Sequence, residues 1–101
     1  MSTRHDLITT TRTEIALSTT LSAEQSIPCG CIAAWLTIDT EVDLTVRYDD
    51  DADRDELLSS VTGWSLYPSG ETTFPEGAAI GVKFAIGTST AKAVLHVRQY
   101  A

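Results

Sequence analysis

Two stretches of strict period-two alternation constrain this chain more than anything else in it. In the first, Ile32, Ala34, Leu36 and Ile38 share one face of the run from Cys31 to Asp39, with Trp35 on the other. After Thr40-Glu41 the pattern resumes, with Val42, Leu44, Val46 and Tyr48 opposite Asp43, Thr45, Arg47 and Asp49. In the second, residues 79 to 86 alternate, Gly87-Thr88-Ser89-Thr90 interrupts, and residues 91 to 100 alternate again. Side chains that switch face at every residue belong to half-buried strands. A short polar break between two such runs predicts a hairpin, so each stretch is expected to fold back on itself. The fold class expected is all-β: a single small antiparallel β-sandwich, jelly-roll-like, of about six to eight short strands.

The remaining segments are less regular. Residues 1 to 12 are polar and Thr-rich with no sustained period, and are expected to form a flexible N-terminal arm ahead of a sandwich domain spanning 13 to 101. Thr13 to Ser18 is a short strand candidate with Ile15 and Leu17 inward. Pro28-Cys29-Gly30 signals a turn. The acidic run from Asp49 to Glu56 precedes Leu57-Leu58, which predicts a short helical turn capped by Asp53. Gly63 to Tyr67 is a further short strand, Thr72-Thr73-Phe74 a strand stub, and Pro68 to Glu71 and Pro75 to Gly77 are turns.

Composition narrows the function classes. With 101 residues the chain is one domain. Its net charge of −7 and its scattered basic residues argue against nucleic acid, which needs clustered Lys and Arg, and against anionic membranes. No apolar run approaches the ~20 residues of a transmembrane helix, and no signal-peptide core is present, so the chain is expected to stay in the cytoplasm where it is made or to leave it by a route that needs no signal. Cys29 and Cys31 are too close in sequence for a relaxed disulfide and short of a Cys-x-x-Cys spacing, so both are read as reduced thiols.

No residue is assigned as catalytic, cofactor-binding or metal-ligating. The acidic run places Asp49, Asp51 and Asp53 at alternate positions, as a calcium loop would. Arg54 stands where such a loop needs Gly, and Ser60 where it needs a bidentate Glu. His5 and His96 are the only histidines, and neither has a sequence context for hydrolysis. Trp64, alternating with Leu66, is expected in the core. Trp35 shares its face with Cys31 and Ala33, too apolar for open solvent. Trp35 with Val94, His96 and Tyr100 of the last strand is therefore the expected protein interface. Two rivals remain open. One is a carbohydrate-binding module stacking sugars on Trp35, Tyr67 or Tyr100. The other is a module stabilised by calcium at the acidic run.

The order of features also resembles a family. A Pro-Cys-Gly-Cys turn leads to the Leu36-Thr37-Ile38-Asp39 strand, then to Val46-Arg47-Tyr48-Asp49 and Trp64-Ser65-Leu66-Tyr67-Pro68-Ser69-Gly70-Glu71. Phe74-Pro75-Glu76-Gly77-Ala78 and the closing strand from Ala91 to Tyr100 complete it. This layout, over residues 13 to 100, resembles small β-sandwich virion proteins of tailed bacteriophages, which decorate capsids or attach to head and tail. The Cys-Gly-Cys turn itself and the acidic run have no match there. The resemblance implies a structural virion role, no catalysis, and a major capsid protein or other virion protein as partner. It also implies repeated copies, a homo-oligomer with a trimer favoured. It carries over no active-site residues.

Overall fold

The computed structural model describes residues 8–28, 31–66 and 80–100, the side chains of Leu66 and Tyr100 excepted. Six strands form one antiparallel sheet: β1 (Ile8–Leu17), β2 (Gln25–Ile27), β3 (Ala33–Tyr48), β4 (Glu56–Leu66), β5 (Ile80–Ile86) and β6 (Ala91–Tyr100). The all-β, antiparallel expectation holds. Its internal connections differ from those expected, and the differences share one cause.

Neither expected hairpin forms. β3 runs straight through Thr40-Glu41 as a single strand of 16 residues. Its inward residues keep even parity throughout: Ala34, Leu36, Ile38, Leu44 and Val46 are all buried. A reversal at Thr40-Glu41 would have needed turn residues that tolerate positive φ, which Thr is poorly suited to supply. β5 and β6 do not pair with each other. They lie one after the other along the same edge of β3, with Tyr48↔Val82 to Leu44↔Ile86 followed by Ile38↔Ala93 to Ala33↔Arg98. The break at residues 87 to 90 shifts parity from even (Ile80, Val82, Phe84, Ile86) to odd (Ala91, Ala93, Leu95, Val97), and both sets are buried.

The sheet is thus four long paths, each bent near its middle. β4 lies along the other edge of β3 over its whole length. β1 pairs with β6, and the chain then continues beside β5, through Ile86 N–H to Ser18 O (2.8 Å), Ser22 N–H to Phe84 O (2.8 Å) and finally β2. Two leaves result. The β6 leaf contains β1, β6, residues 33–38 of β3 and residues 63–66 of β4. The β5 leaf contains β2, β5, residues 44–48 of β3 and residues 56–58 of β4. The inner faces of both leaves close on one apolar core.

The crease between the leaves is held by Asp43. Its backbone carbonyl accepts from Gly87 N–H (3.0 Å), and its Oδ1 accepts from Ser60 N–H (2.8 Å). Ser60 has φ 54°, and the β3–β4 register shifts on either side of Val42. This is a bulge, which breaks the ladder and bends the strand. It also explains why residues 57 to 61 show no clean alternation. The expected helical turn there is instead β4, and a single 3₁₀ turn covers Ala52–Arg54. Its cap is Asp51, whose side chain accepts from Asp53 N–H, rather than Asp53. Of the expected arm, residues 8 to 12 belong to β1 and pair with residues 96 to 100. Residues 1–7, Cys29, Gly30 and residues 67–79, with the turns and strand stub expected there, lie outside the described residues.

Trp64 spans the crease. It pairs with Leu36 in the β6 leaf, yet its ring meets Phe84 of the β5 leaf edge-on at 5.7 Å. Its indole N–H donates to Glu56 Oε1 at 3.3 Å, although the two residues are eight apart on one strand. A straight strand rises about 3.3 Å per residue and would hold them about 26 Å apart, far beyond the reach of two side chains. The bend in β4 is what brings them together. Glu56 also accepts from the Tyr48 hydroxyl (2.8 Å), and burial, then Glu56, pushes that phenol well above its ordinary range. Next to Trp64, Gly63 keeps β4 close to β3: a Cβ there would stand 2.6 Å from the Leu36 carbonyl oxygen.

Removing the Trp64 ring opens a cavity between the leaves, so Trp64→Ala should cost about 3–5 kcal/mol in urea unfolding. Trp64→Phe keeps an edge against Phe84 and should lose less. A cost below about 1 kcal/mol for Trp64→Ala would show that the leaves close without this side chain.

Candidate functional site

Both inner faces are consumed by the core, so chemistry available to a partner lies on the outer faces, the turns and the sheet edges. The acidic run from Asp49 to Glu56 forms the turn between β3 and β4, reaching β4 at Glu56. Asp49 and Asp50 both take positive φ (52° and 57°), and Asp51 N–H donates to Tyr48 O (3.0 Å), the signature of a type I′ turn. Asp side chains tolerate that conformation, which accounts for their presence. Asp49 Oδ1 accepts from Gly81 N–H (3.1 Å), Asp50 binds Lys83 Nζ (2.9 Å), and Asp55 takes a two-pronged contact from Arg47 (2.9 and 3.0 Å). The hydrogen bond from Arg47 holds the Asp55 carboxyl below the usual range, and that from Lys83 does the same for Asp50. These carboxylates fasten the turn to β5 and to the start of β4. Among the described residues no three Asp, Glu, His or Cys side chains converge as metal ligands.

The outer face of the β6 leaf is different. Antiparallel register lines up Arg12, His96, Trp35 and Ser65 in one row across β1, β6, β3 and β4. Cross-strand neighbours in such a row stand close enough for their side chains to touch. The Trp35 and His96 rings stack with centroids 4.8 Å apart and planes 4° from parallel. From the next row, the Arg98 guanidinium lies 5.2 Å from the Trp35 ring centroid, and its Nε donates to Thr10 Oγ1 (3.5 Å). Trp35 and His96 are each half-buried, although both point away from the core. The apolar character of Trp35's face is therefore met in part inside the chain, by this stack.

His96 Nε2 lies 3.1 Å from Thr37 Oγ1, while Nδ1 is buried without a hydrogen-bond partner among the described residues. An unpaired acceptor costs less than an unpaired N–H, so the proton belongs on Nε2, donating to the Thr37 hydroxyl. Burial, and then the Arg12 charge, lower the pKa from its ordinary 6.5, keeping the ring neutral at pH 7. A hydroxyl beside an imidazole is half of a hydrolytic arrangement. The other half, an acceptor that orients Nδ1, has no counterpart among the described residues.

Two shallow grooves flank the row. One, of about 600 Å³, passes over Glu14, Thr37, Lys92 and Val94. The other, of about 620 Å³, follows β4 past Trp35, Ser60, Gly63 and Ser65. Gly63 leaves the row of Glu14, Val94 and Thr37 without a fourth side chain, and the groove along β4 passes there. Of the interface expected from sequence, Trp35, Val94 and His96 lie on this one face. The side chain of Tyr100 lies outside the described residues, as does Tyr67. Sequence reasoning missed Arg12, Arg98 and Thr37. Their signal was present in parity, since Arg98 shares the face of His96 within β6 and Thr37 that of Trp35 within β3, but the register that joins the strands was not. Cys31 packs partly buried against the core, in the manner of a small hydrophobe.

The lowered His96 pKa carries a sign. An unfolded chain binds this proton more readily than the folded one, so stability is complete above pH 6.5 and falls as pH drops through that value towards the folded pKa. An NMR titration should place His96 below 6.5. His96→Phe, which keeps a ring on Trp35, should flatten the fall in stability between about pH 7 and pH 5. A titration midpoint above the ordinary value would contradict the neutral stack. No family model, no curated protein and no solved structure matches this chain.

Proposed function

We propose that this chain is a structural protein of a bacteriophage virion, one that binds a capsid or other virion protein through the outer face of its β6 leaf. The observation that carries the binding face is the Trp35–His96–Arg98 cluster, an ordered aromatic and cationic surface on the solvent side of a sheet. Energetic centres of protein interfaces are enriched in Trp and Arg held in place before binding. Here the stack on His96 and the hydrogen bond of Arg98 to Thr10 do the holding. The virion assignment rests on the layout resemblance of residues 13 to 100. A non-catalytic role agrees with His96, whose polar contact among the described residues is to Thr37.

The rival is a carbohydrate-binding module. It uses the same Trp35, with the groove along Ser60, Gly63 and Ser65 as its cleft. Sugar stacking needs a bare aromatic face, and the Trp35 ring already has one face on His96 with a guanidinium near its centroid. The protein-interface reading is therefore preferred.

The test is co-sedimentation with assembled capsids and tails of a phage that encodes the chain, alongside a glycan array. Binding to the particles is expected, and Trp35→Ala should weaken it at least ~30-fold, the scale of an interface centre. Particles that leave the protein in the supernatant, or equal binding by Trp35→Ala, would overturn this reading. Glycan binding lost in Trp35→Ala would establish the rival in its place.

A further inference from the structure

The two edges of the sheet are built differently. β4, at one edge, is broken by the Ser60 bulge and two register shifts. Bulges of this kind deter pairing with another chain. β1, at the other edge, pairs with β6 in an unbroken ladder from Ile8↔Tyr100 to Leu17↔Ala91. Among the described residues β6 is its sole strand partner. Its sequence, ITTTRTEIAL, is rich in β-branched residues and contains neither Pro nor Gly. A long regular edge without these protective devices is a template for another strand.

The charges on β1 say which strand fits. Arg12 and Glu14 are both exposed, both on the outer face, and neither enters an ion pair among the described residues. An antiparallel pair of identical strands related by a two-fold axis perpendicular to the sheet places residues of like parity opposite each other. Centred on Arg12 it opposes two arginines, and centred on Glu14 two glutamates, each arrangement repulsive. Centred on Thr13 it sets Arg12 of each copy opposite Glu14 of the other, twice by symmetry, with Thr11 opposite Ile15 and Thr10 opposite Ala16.

We infer that β1 is a self-pairing edge: a second copy of this chain adds its own β1 antiparallel, in the register centred on Thr13, joining two β6 leaves into one continuous sheet. The two-fold axis stands perpendicular to that sheet, so both Trp35 clusters face the same side. The pairing itself rests on the edge and its charges, not on the virion reading. It replaces the favoured trimer of the sequence expectation with a dimer, because an isologous contact closes at two copies.

The experiment is sedimentation equilibrium of the full chain over a hundredfold concentration range reaching about 1 mM. Wild type should fit a monomer–dimer equilibrium. Arg12→Glu sets carboxylates opposite each other at both pairs, and Glu14→Arg does the same with guanidiniums. Each should lower the association constant about tenfold, and the double exchange Arg12→Glu with Glu14→Arg should restore it. Both positions are exposed, so the variants should keep the wild-type circular dichroism spectrum. Trp35→Ala should leave the dimer constant unchanged, which separates this proposal from the binding face. A monomer at every concentration, a trimer, or a dimer indifferent to Arg12→Glu would overturn it. So would a dimer lost in Trp35→Ala and kept in Arg12→Glu, which would put the contact on the outer face instead.

Discussion

Four strand paths bend along one line, and the fold depends on that crease holding. Asp43 stands in the middle of it. Through one carbonyl and one carboxylate oxygen it meets the bend of the β5–β6 path at Gly87 and the bend of β4 at Ser60. Lys92 N–H donates to Asp39 Oδ1 (3.1 Å) on the other side of the same crease. Hydrogen bonds at a half-exposed bend contribute only about 1 kcal/mol each, too little to close two leaves. The closing force is apolar burial. Trp64, standing opposite Leu36 yet touching Phe84, ties the core side chains of one leaf to those of the other. Asp43 sets where the sheet folds, and Trp64 with Phe84 makes folding there worthwhile.

A sheet closed in this way has little surface left with directional chemistry. The carboxylates of the acidic turn are spent largely inside the molecule, on Gly81, Lys83 and Arg47. The turn thus looks like a site by composition and behaves as a clasp. The outer face of the β6 leaf carries the opposite character in a chain of net charge −7. Arg12 stands beside a neutral His96, and after burial its positive charge is one reason that ring resists protonation. The same arrangement keeps the stack on Trp35 uncharged and closely apposed, which is the condition a preorganised contact surface requires.

Much of this was legible in the alternation, and the part that was not has a physical explanation. Period two assigns each residue to a face, and it did so correctly for Leu36, Val46, Phe84 and Leu95, all buried, and for His96, which points outward. It says nothing about which strand lies alongside. A polar break of two to four residues is compatible with a hairpin or with a bend, and both breaks here are bends. The parity offered a clue: even positions stay inward across Thr40-Glu41, as one continuous strand requires. β4 was misjudged because its bulge scrambles the alternation from Leu57 to Val61, and acidic residues ahead of two leucines mimic a helix start. The outer cluster was half legible. Trp35 and His96 each stood out, but their stacking follows from the pairing of residue 35 with 96, a distance of 61 positions along the chain that no local pattern encodes.

Charge distribution then decides how such a molecule can meet others. The acidic turn sits at the end of the β5 leaf, where Asp51 and Asp53 add further negative charge to the clasp. Like-charged ends repel, so copies approaching through that end are disfavoured at any separation shorter than the ~8–10 Å Debye length. β1 offers one positive and one negative side chain two positions apart, a pattern that is neutral overall and complementary only to its own reverse. Repulsion at one end and self-complementarity at the opposite edge act together. They make the β1 edge, as the self-pairing proposal requires, a less repulsive approach between copies than the acidic end.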